Sequence, residues 1–234
     1  AAACIGGYNF VTNSSKIVAS EHGTHVAGTI GAINNNGKGV SGIAGGDAKA
    51  KIAGVRLLSC QIFQDGTDDS GSGAQALKWA CDNGANIANN SWGYKFKTLE
   101  EAKNSRIPAS LASAIDYFIK YAGCDANGSQ KPDSPMKGGV VFFSAGNDAY
   151  STDPIGLYEP VISVGSIGPD FSRAYYSNYG DWVDICTPGG DYKLGTNAEI
   201  YSTLPDNKYG WMQGTSMACP HASGVAALVL SYCG

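Results

Sequence analysis

The chain of 234 residues is 43% hydrophobic and 15% charged, which suits one folded domain with a sizeable core and excludes a disordered chain. Its net charge of −4 and the absence of any Lys/Arg run argue against nucleic acid or an anionic membrane surface as a partner. The longest apolar stretch, 225–230, is too short to span a bilayer. We therefore predict a single domain over residues 1–234.

Short β-rich segments alternate with helical ones along the chain. The predicted strands are 5–11, 52–58, 87–91, 140–144, 161–167 and 182–186, and the predicted helices are 22–33, 74–83, 107–121 and 216–232. Several strands are apolar at successive positions, which is typical of a parallel sheet covered on both faces. The alternation predicts a three-layer, doubly wound α/β domain with a mostly parallel sheet. In such folds, functional sites gather at the carboxyl ends of the strands.

The first predicted helix carries two of the three histidines, in "EHGTHVAGTIGA". His22 precedes the first full turn, where a side chain can face a cleft. Taken alone, it suits a structural role and a catalytic role equally. His25 lies one turn later beside apolar residues, and we expect it to be a hydrogen-bonded structural histidine. His221 follows a proline in the last predicted helix, and we expect it to be structural as well.

The fourth predicted strand runs into "VVFFSAGND", which ends the strand with Ser-Ala-Gly and Asn147. An asparagine at the end of a strand is commonly a turn residue. Its side-chain N–H could instead donate to an oxyanion that develops at a neighbouring site. Both interpretations stay open on this segment alone.

The last predicted helix opens with a serine in "GTSMACPHASGVAALVL". Such a serine is usually an N-cap, whose hydroxyl accepts a backbone N–H. A helix N-terminus also suits a nucleophile, because its free N–H groups and its positive dipole end stabilise an oxyanion. Ser216 is therefore either a cap or a nucleophile, and Gly214 leaves room for a substrate backbone.

Seven cysteines are scattered along the chain without CxxC spacing, which argues against a zinc site. Because their number is odd, at least one is free or pairs outside the chain. Cys81 and Cys219 lie among apolar residues in predicted helices, and we expect both to be small buried hydrophobes.

Together, "HGTHVAGT", "SAGN" and "GTSMACPH" resemble, in this order, the signatures of the subtilisin-like serine peptidases (subtilases). Further segments resemble the family in the same order: "IGGYNFV", "GVSGIAG", "NNSWG", "PVISVGS", "YSNYGDWVDICTPGG" and "YSTLPDNKYGWMQ". The resemblance covers essentially the whole chain. It implies a serine endopeptidase that hydrolyses extended polypeptides through an acyl-enzyme and needs no cofactor for its chemistry.

The resemblance assigns a role to each of the candidate residues above. It implies that Ser216 is the nucleophile and that His22 is the general base and then the general acid. Asn147 would donate its side-chain N–H to the oxyanion, together with the backbone N–H of Ser216. Subtilisin is itself a standard example of this chemistry, so the roles come from the family and not from the residues alone.

The resemblance also implies a substrate that binds by strand addition, between a segment around "SWG" and one around "GSG". The implied substrate-binding residues are Ser91, Trp92, Gly93, Ser144, Ala145, Gly146, Gly71 and Gly73. Many subtilases are exported and are made with an inhibitory prosegment. The expected partners are therefore polypeptide substrates and such a prosegment, and the expected form is a monomer that is extracellular or otherwise exported.

The Asn/Gly-rich segment "INNNGKGV" (33–40) is read as a turn without the family. Many subtilases wrap a structural calcium at this point, and Asn35 is then the side-chain ligand that matches best. The spacing is one residue longer here. Turn and calcium site both stay open.

The third member of the catalytic triad, an Asp, is missing from its expected place. The family order is Asp, His, Ser, yet the 21 residues before His22 contain no Asp. In one explanation the protein is a pseudopeptidase that only binds peptides. In the other the chain is a fragment cut at both ends, which we favour, because deleting a central strand would leave unpaired backbone groups on both of its neighbours. The 234-residue chain alone is then expected to be nearly inactive.

Overall fold

Parallel strands alternate with helices through the described chain, which comprises residues 3–64, 66 and 70–233 of a computed structural model. The strands are β1 (Ala3–Asn9), β2 (Arg56–Gln61), β3 (Ile87–Asn90), β4 (Val140–Ser144), β5 (Ile162–Ile167), β6 (Ile185–Pro188), β7 (Ile200–Leu204) and β8 (Lys208–Met212). The helices are α1 (Glu21–Gly31), α2 (Gly73–Asp82), α3 (Leu99–Asn104), α4 (Ala109–Tyr121) and α5 (Thr215–Cys233), with a 3₁₀ turn at Tyr192–Leu194.

The parallel strands form two sheets. One has the order β3-β4-β5-β6 and the other pairs β1 with β2, while β7 and β8 form an antiparallel hairpin. Every pairing within the first two sheets is parallel. The predicted α/β fold with mostly parallel strands is thus confirmed. Within the described residues, β2 and β3 each use only one edge for pairing.

Helices cover both faces of these sheets. Along β4, Val141 and Phe143 face Phe118 and other residues of α2 and α4, whereas Phe142 between them packs against Cys219 of α5. This alternation is the two-residue period of a strand buried on both sides. On the α5 face, α1 packs against α5, β2 and the hairpin. The three layers therefore extend over both parallel sheets.

Two helix starts follow from their capping residues. Ser20 caps α1, where its hydroxyl accepts the N–H of Gly23 at 3.2 Å. Helix α4 begins at Ala109, two residues later than predicted, because a residue before Pro108 is disfavoured in helical conformation.

The other predicted elements lie within four residues of the observed bounds at each end. The sequence prediction missed α3, the 3₁₀ turn and the β7–β8 hairpin.

All seven cysteines are free thiols in the structure. Cys81 and Cys219 are buried, as predicted.

Among the described residues no helix has the length and apolar character that a bilayer crossing demands.

Candidate active site

The N-terminus of α5 presents an unpaired backbone amide beside a serine hydroxyl. Gly214 precedes the helix with φ +147°, and its carbonyl accepts the N–H groups of Met217 and Ala218 at 2.9 and 3.2 Å. The N–H of Thr215 donates to the side chain of Asn147. Of the first helical amides, that of Ser216 has no acceptor among the described contacts. It is free to donate to a ligand.

A proline inside α5 connects this serine to strand β3. In a helix, a carbonyl accepts the N–H four residues later, but Pro220 has none to donate to the carbonyl of Ser216. The hydroxyl of Ser91 donates to that carbonyl instead, at 2.8 Å. In return, Ser216 Oγ donates to the carbonyl of Ser91 at 3.1 Å. The two serines, 125 positions apart, thus fix the start of α5 against the segment after β3.

Asn147 is oriented by the residue before the candidate nucleophile. Its Oδ1 accepts both the N–H and the hydroxyl of Thr215, each at 2.9 Å. Because the oxygen is occupied, the amide nitrogen Nδ2 must point the other way, and it has no acceptor among the described residues. The side chain therefore offers a donor held in one orientation.

A small space lies between the two free donors. A Cβ atom placed on Gly214 would lie 3.6 Å from the backbone nitrogen of Ser216 and 3.7 Å from both Nδ2 and Oδ1 of Asn147. Only a glycine leaves this space empty. An oxyanion needs N–H donors around it, and two free ones, the Ser216 amide and Asn147 Nδ2, lie within 4 Å of this point.

Asn178 braces the loop that carries Asn147, and sequence reasoning missed it. This buried side chain donates to the carbonyl of Ala145 at 2.9 Å and accepts the N–H groups of Asp148 and Tyr150 at 3.1 and 2.8 Å. It also blocks any side chain at Gly146, whose Cβ would come 2.4 Å from Nδ2 of Asn178. Asn178 belongs to "YSNYGDW", so its place in a motif was its only sequence signal.

The three histidines differ in their partners. His25 is fully buried, and its Nε2 lies 3.0 and 3.2 Å from the carbonyl oxygens of Ile200 and Gly210. Since carbonyls only accept, Nε2 carries the proton and His25 is a structural histidine, as predicted. His221 Nδ1 likewise lies 2.8 Å from the carbonyl oxygen of Met217. Burial lowers the pKa of both side chains.

His22 lies in the first turn of α1 with a solvent-exposed face. Protein atoms around the imidazole nevertheless lower its pKa from the ordinary value of 6.5, so the ring is neutral and able to accept a proton at neutral pH. Helix α1 packs against α5 through Val26, Ile30 and Met217. The described contacts include no hydrogen bond between His22 and Ser216, whose hydroxyl is bound to Ser91.

The two segments predicted to flank a substrate meet at an indole ring. A Cβ on Gly73 would lie 2.6 Å from the ring of Trp92, and a Cβ on Gly71 would lie 2.6 Å from the Cβ of Phe10. Trp92 also packs edge-on against Phe143, with ring centroids 5.1 Å apart. The structure thus brings Gly73 beside the segment Ser91–Gly93.

The predicted pocket residues Ser144 and Ala145 are buried at the end of β4. Ala145 is held by its N–H, which donates to the carbonyl of Val164 in β5 at 2.9 Å. Gly146 has φ +102° and donates its N–H to the hydroxyl of Thr215 at 3.2 Å. The end of β4 is thereby tied to the start of α5.

Asn35 sits in a hydrogen-bonded turn. It has φ +56°, and its side chain donates to Asp47 Oδ2 at 2.6 Å. The other oxygen of Asp47 accepts the N–H groups of Lys49 and Ala50 at 2.9 Å. Calcium takes 6–8 oxygen ligands, of which the side chains of Asn35 and Asp47 could supply only a few, so backbone carbonyls would have to supply the rest. Across the described part of the chain no group of three His, Cys, Asp or Glu side chains could hold a metal. The calcium site stays a prediction.

Cysteine chemistry does not compete for this site. Burial raises the pKa of the Cys219 thiol to about 12, so it is not a thiolate at neutral pH. The geometry thus brings Ser91, Asn147 and Ser216 together at the start of α5. It places His22 on the neighbouring helix.

Comparison with known sequences gives a family match over nearly the whole chain. The profile of the subtilase family (Peptidase_S8) matches residues 6–233. The thermophilic serine proteinase of Bacillus sp. (strain AK1) is 36% identical, over 97% of this chain and 47% of that protein. Thermitase of Thermoactinomyces vulgaris is 34% identical, over 97% of this chain and 67% of that protein. The chain thus spans between about half and two thirds of these relatives.

Solved structures agree with these sequence relatives. A cold adapted subtilisin-like serine proteinase superposes with a TM-score of 0.67 at 27% identity, over 98% of this chain and 68% of that chain. A protease from Pseudoalteromonas arctica superposes with a TM-score of 0.71 at 26% identity, over 97% of this chain and 72% of that chain.

Proposed function

Because this chain belongs to the subtilase family of serine peptidases, we propose that it forms the catalytic part of an endopeptidase that cleaves extended polypeptides. The observation that carries the proposal is the open point between the Ser216 amide and Asn147 Nδ2, next to a serine hydroxyl. If Ser216 served only as a helix cap, the site would not need Asn147 as a second donor held in its own orientation.

In the proposed reaction, Ser216 Oγ attacks the peptide carbonyl while His22 takes its proton. The lowered pKa of His22 supports this role, because a base must be neutral to accept a proton. His22 then returns the proton to the leaving amine, and water hydrolyses the acyl-enzyme by the same route. The hydroxyl must first leave the Ser91 carbonyl and turn toward His22.

Negative charge on the attacked carbonyl oxygen would be stabilised by the Ser216 amide and Asn147 Nδ2. Both donors are fixed before the reaction, Asn147 through Thr215 and the amide through the helix. Loss of one such donor typically lowers kcat by about 10²–10³. The dipole of α5 adds to the same effect.

We further propose that a carboxylate from outside residues 1–234 orients His22. The unpaired edges of β2 and β3 support this idea, because helices cover both strands while neither edge has a partner in the described chain. An additional parallel strand between them would satisfy both edges and would end on the side of the active site.

The substrate would lie in an extended conformation along Ser91–Gly93 and opposite Gly71 and Gly73, with Ser144–Gly146 around the pocket for the residue before the cut. Peptide backbone is proposed to pair with these segments as an added strand. Export, an inhibitory prosegment, a monomeric state and a calcium site at Asn35 are proposals that rest on the family.

A serine-directed fluorophosphonate tests the proposal. We expect residues 1–234 to react slowly, and a version extended by an upstream apolar strand with an Asp to react faster by up to about 10⁴-fold. Ser216→Ala should abolish labelling in both. Equal labelling of the two versions would contradict the role of the missing carboxylate. Peptide binding by the extended version without labelling or cleavage would favour the alternative function, a pseudopeptidase that only binds peptides.

A further inference from the structure

A groove crosses the surface between the segment 94–108 and the segment 154–158. It consists of two adjoining cavities of about 370 and 260 Å³. Both are lined by Ser105, Arg106 and Pro154, so they form one continuous depression.

The groove is cationic although the protein is acidic. Lys95, Lys103 and Arg106 line it without any Asp or Glu, while the whole chain has a net charge of −4. Among the described residues the only ion pair joins Lys78 and Asp82, so none of the three cations has a carboxylate partner there. This unbalanced charge is complementary to an anionic ligand.

Several carboxylates lie close to the groove in sequence, but none of them lines it. Asp153 and Glu159 flank the wall at 154–158, and Asp153 Oδ1 accepts the N–H groups of Ile155 and Gly156 at 2.9 Å. Glu101 of α3 accepts the N–H of Lys97 at 2.8 Å. Asp116 of α4 accepts the hydroxyl of Tyr158, a groove residue, at 2.7 Å. Neither is required to neutralise the groove, and neither lines it.

Arg106 is oriented in advance for such a ligand. Its Nη1 donates to the carbonyl oxygens of Lys103 and Ser105, at 2.9 and 2.8 Å, near the end of α3. The remaining guanidinium donors have no acceptor among the described residues. Because the side chain is already held, less conformational entropy is lost when it binds a carboxylate.

The groove adjoins the proposed substrate cleft. Tyr94, which lines it, directly follows Gly93 and packs edge-on against Trp92, with ring centroids 6.4 Å apart. The opposite wall, at Pro154, belongs to the connection that leads away from Asn147. Both walls therefore continue from segments that we assign to the peptide cleft.

We propose that this groove binds an acidic side chain of the polypeptide substrate, with Arg106 as the principal contact and Lys95 and Lys103 as supporting charges. The aromatic walls would hold the apolar side chains next to that residue. This inference rests on the proposed function, because it takes Ser91–Gly93 as the line along which substrate lies. It predicts a preference for glutamate or aspartate at one fixed distance from the cut.

The test measures binding separately from cleavage. Short fluorescent peptides carry a single Glu that is moved one position at a time, and each has a partner with Gln at that position. Binding to the full-length protein with Ser216→Ala is followed by anisotropy. We expect one Glu peptide to bind about tenfold tighter than its Gln partner, with a difference that shrinks at high salt.

Three variants assign the preference to the groove. Arg106→Gln should remove most of it, Lys103→Gln should weaken it, and Lys120→Gln, the same change of charge on the exposed face of α4, should leave it intact. Equal binding of Glu and Gln peptides at every position, or an unchanged preference in Arg106→Gln, would overturn the inference. A failure of the unmodified protein to cleave any peptide would instead count against the proposed function alone, because anisotropy needs no cleavage.

Discussion

The two halves of the parallel β-structure differ in how completely their strands are satisfied. Strands β4 and β5 are paired along both edges and are buried over most of their length. Strands β2 and β3 lie between the same helix layers, yet each is paired along one edge only and is half-buried. Burial by helices therefore does not complete a sheet, because edge amides and carbonyls still need partners.

The largest expected effect comes from adding the proposed strand between β2 and β3, once with its Asp and once with an Asn in place of that Asp. In the extended version, Asp→Asn in the added strand should keep the gain in thermal stability and lower kcat by about 10⁴-fold. The strand would then pair with β2 and β3 in both versions, while only the carboxylate orients His22. Calorimetry and peptide hydrolysis separate the two effects. A stability gain that disappears with the Asn version would refute a backbone role for the strand.

Core truncations should reveal the difference between the two regions directly. Phe143→Ala in β4 should lower the free energy of unfolding by about 3–5 kcal/mol in any version of the protein. Leu58→Ala in half-buried β2 should lower it by about 1 kcal/mol in residues 1–234 and by about 2–4 kcal/mol once the added strand covers it. Denaturant titrations of both variants in both versions measure this. An equal effect of Leu58→Ala in the two versions would mean that no strand packs beside β2.

The stabilisation by Asn178, which holds the loop after β4, should not depend on whether the unpaired edges of β2 and β3 gain a partner. Asn178→Ala removes one donor and one acceptor that hold the loop of Asn147, so we expect a loss of about 1–3 kcal/mol in unfolding free energy. The loss should be the same with and without the added strand. Asn178→Asp keeps the acceptor for Asp148 and Tyr150 but sets a buried carboxylate oxygen against the carbonyl of Ala145. At neutral pH it should therefore lose at least as much stability as Asn178→Ala.

The smallest effect concerns the pH dependence of the histidines. The pKa of His22 lies below 6.5 in this chain, and a carboxylate beside it would favour the imidazolium and raise that pKa. NMR titration of the ring protons should therefore show a higher pKa of His22 in the extended version. The opposite order would place the added carboxylate away from His22.

Acid should also weaken the fold, because all three histidines have lowered pKa values. The pKa values of His22, His25 and His221 are lowered, so these side chains stay neutral in the folded protein where the unfolded chain binds protons. Their contribution to the free energy of unfolding is fully present above pH 6.5. It is lost as the pH falls from 6.5 through the lowered pKa values of the folded protein. Urea titrations over this range measure the loss.

Hydrophobic patterning predicted the buried strands well, because β4 and β5 are apolar at successive positions. The β7–β8 hairpin was missed although Ile200–Leu204 contains strand-favouring Ile, Tyr and Thr, and the turn holds Asp206 and Asn207, both with positive φ. Those are turn residues of an antiparallel hairpin, and a search for parallel strands passes over them. Helix α3 was missed because it is short, although Thr98 caps it with its hydroxyl on the N–H of Glu101.

Local sequence marked Ser216 and Asn147 as candidates, since each begins or ends a buried element, but their roles as nucleophile and oxyanion donor came from the family resemblance. Local sequence could not predict the contacts that orient them. Ser91 and Ser216 meet only because β3 and α5 are neighbours in space. Asn178 reaches Ala145 from 33 positions away. Such contacts depend on how layers pack, which no window of sequence contains.

Pro220 has a consequence for anyone who wishes to stabilise this protein. Replacing a proline in a helix interior with alanine ordinarily gains about 3 kcal/mol. Here the new amide would compete with the hydroxyl of Ser91 for the carbonyl of Ser216. The helix would become more regular while its first turn lost its link to β3. Selection for thermal tolerance alone would thus favour a change that loosens the nucleophile.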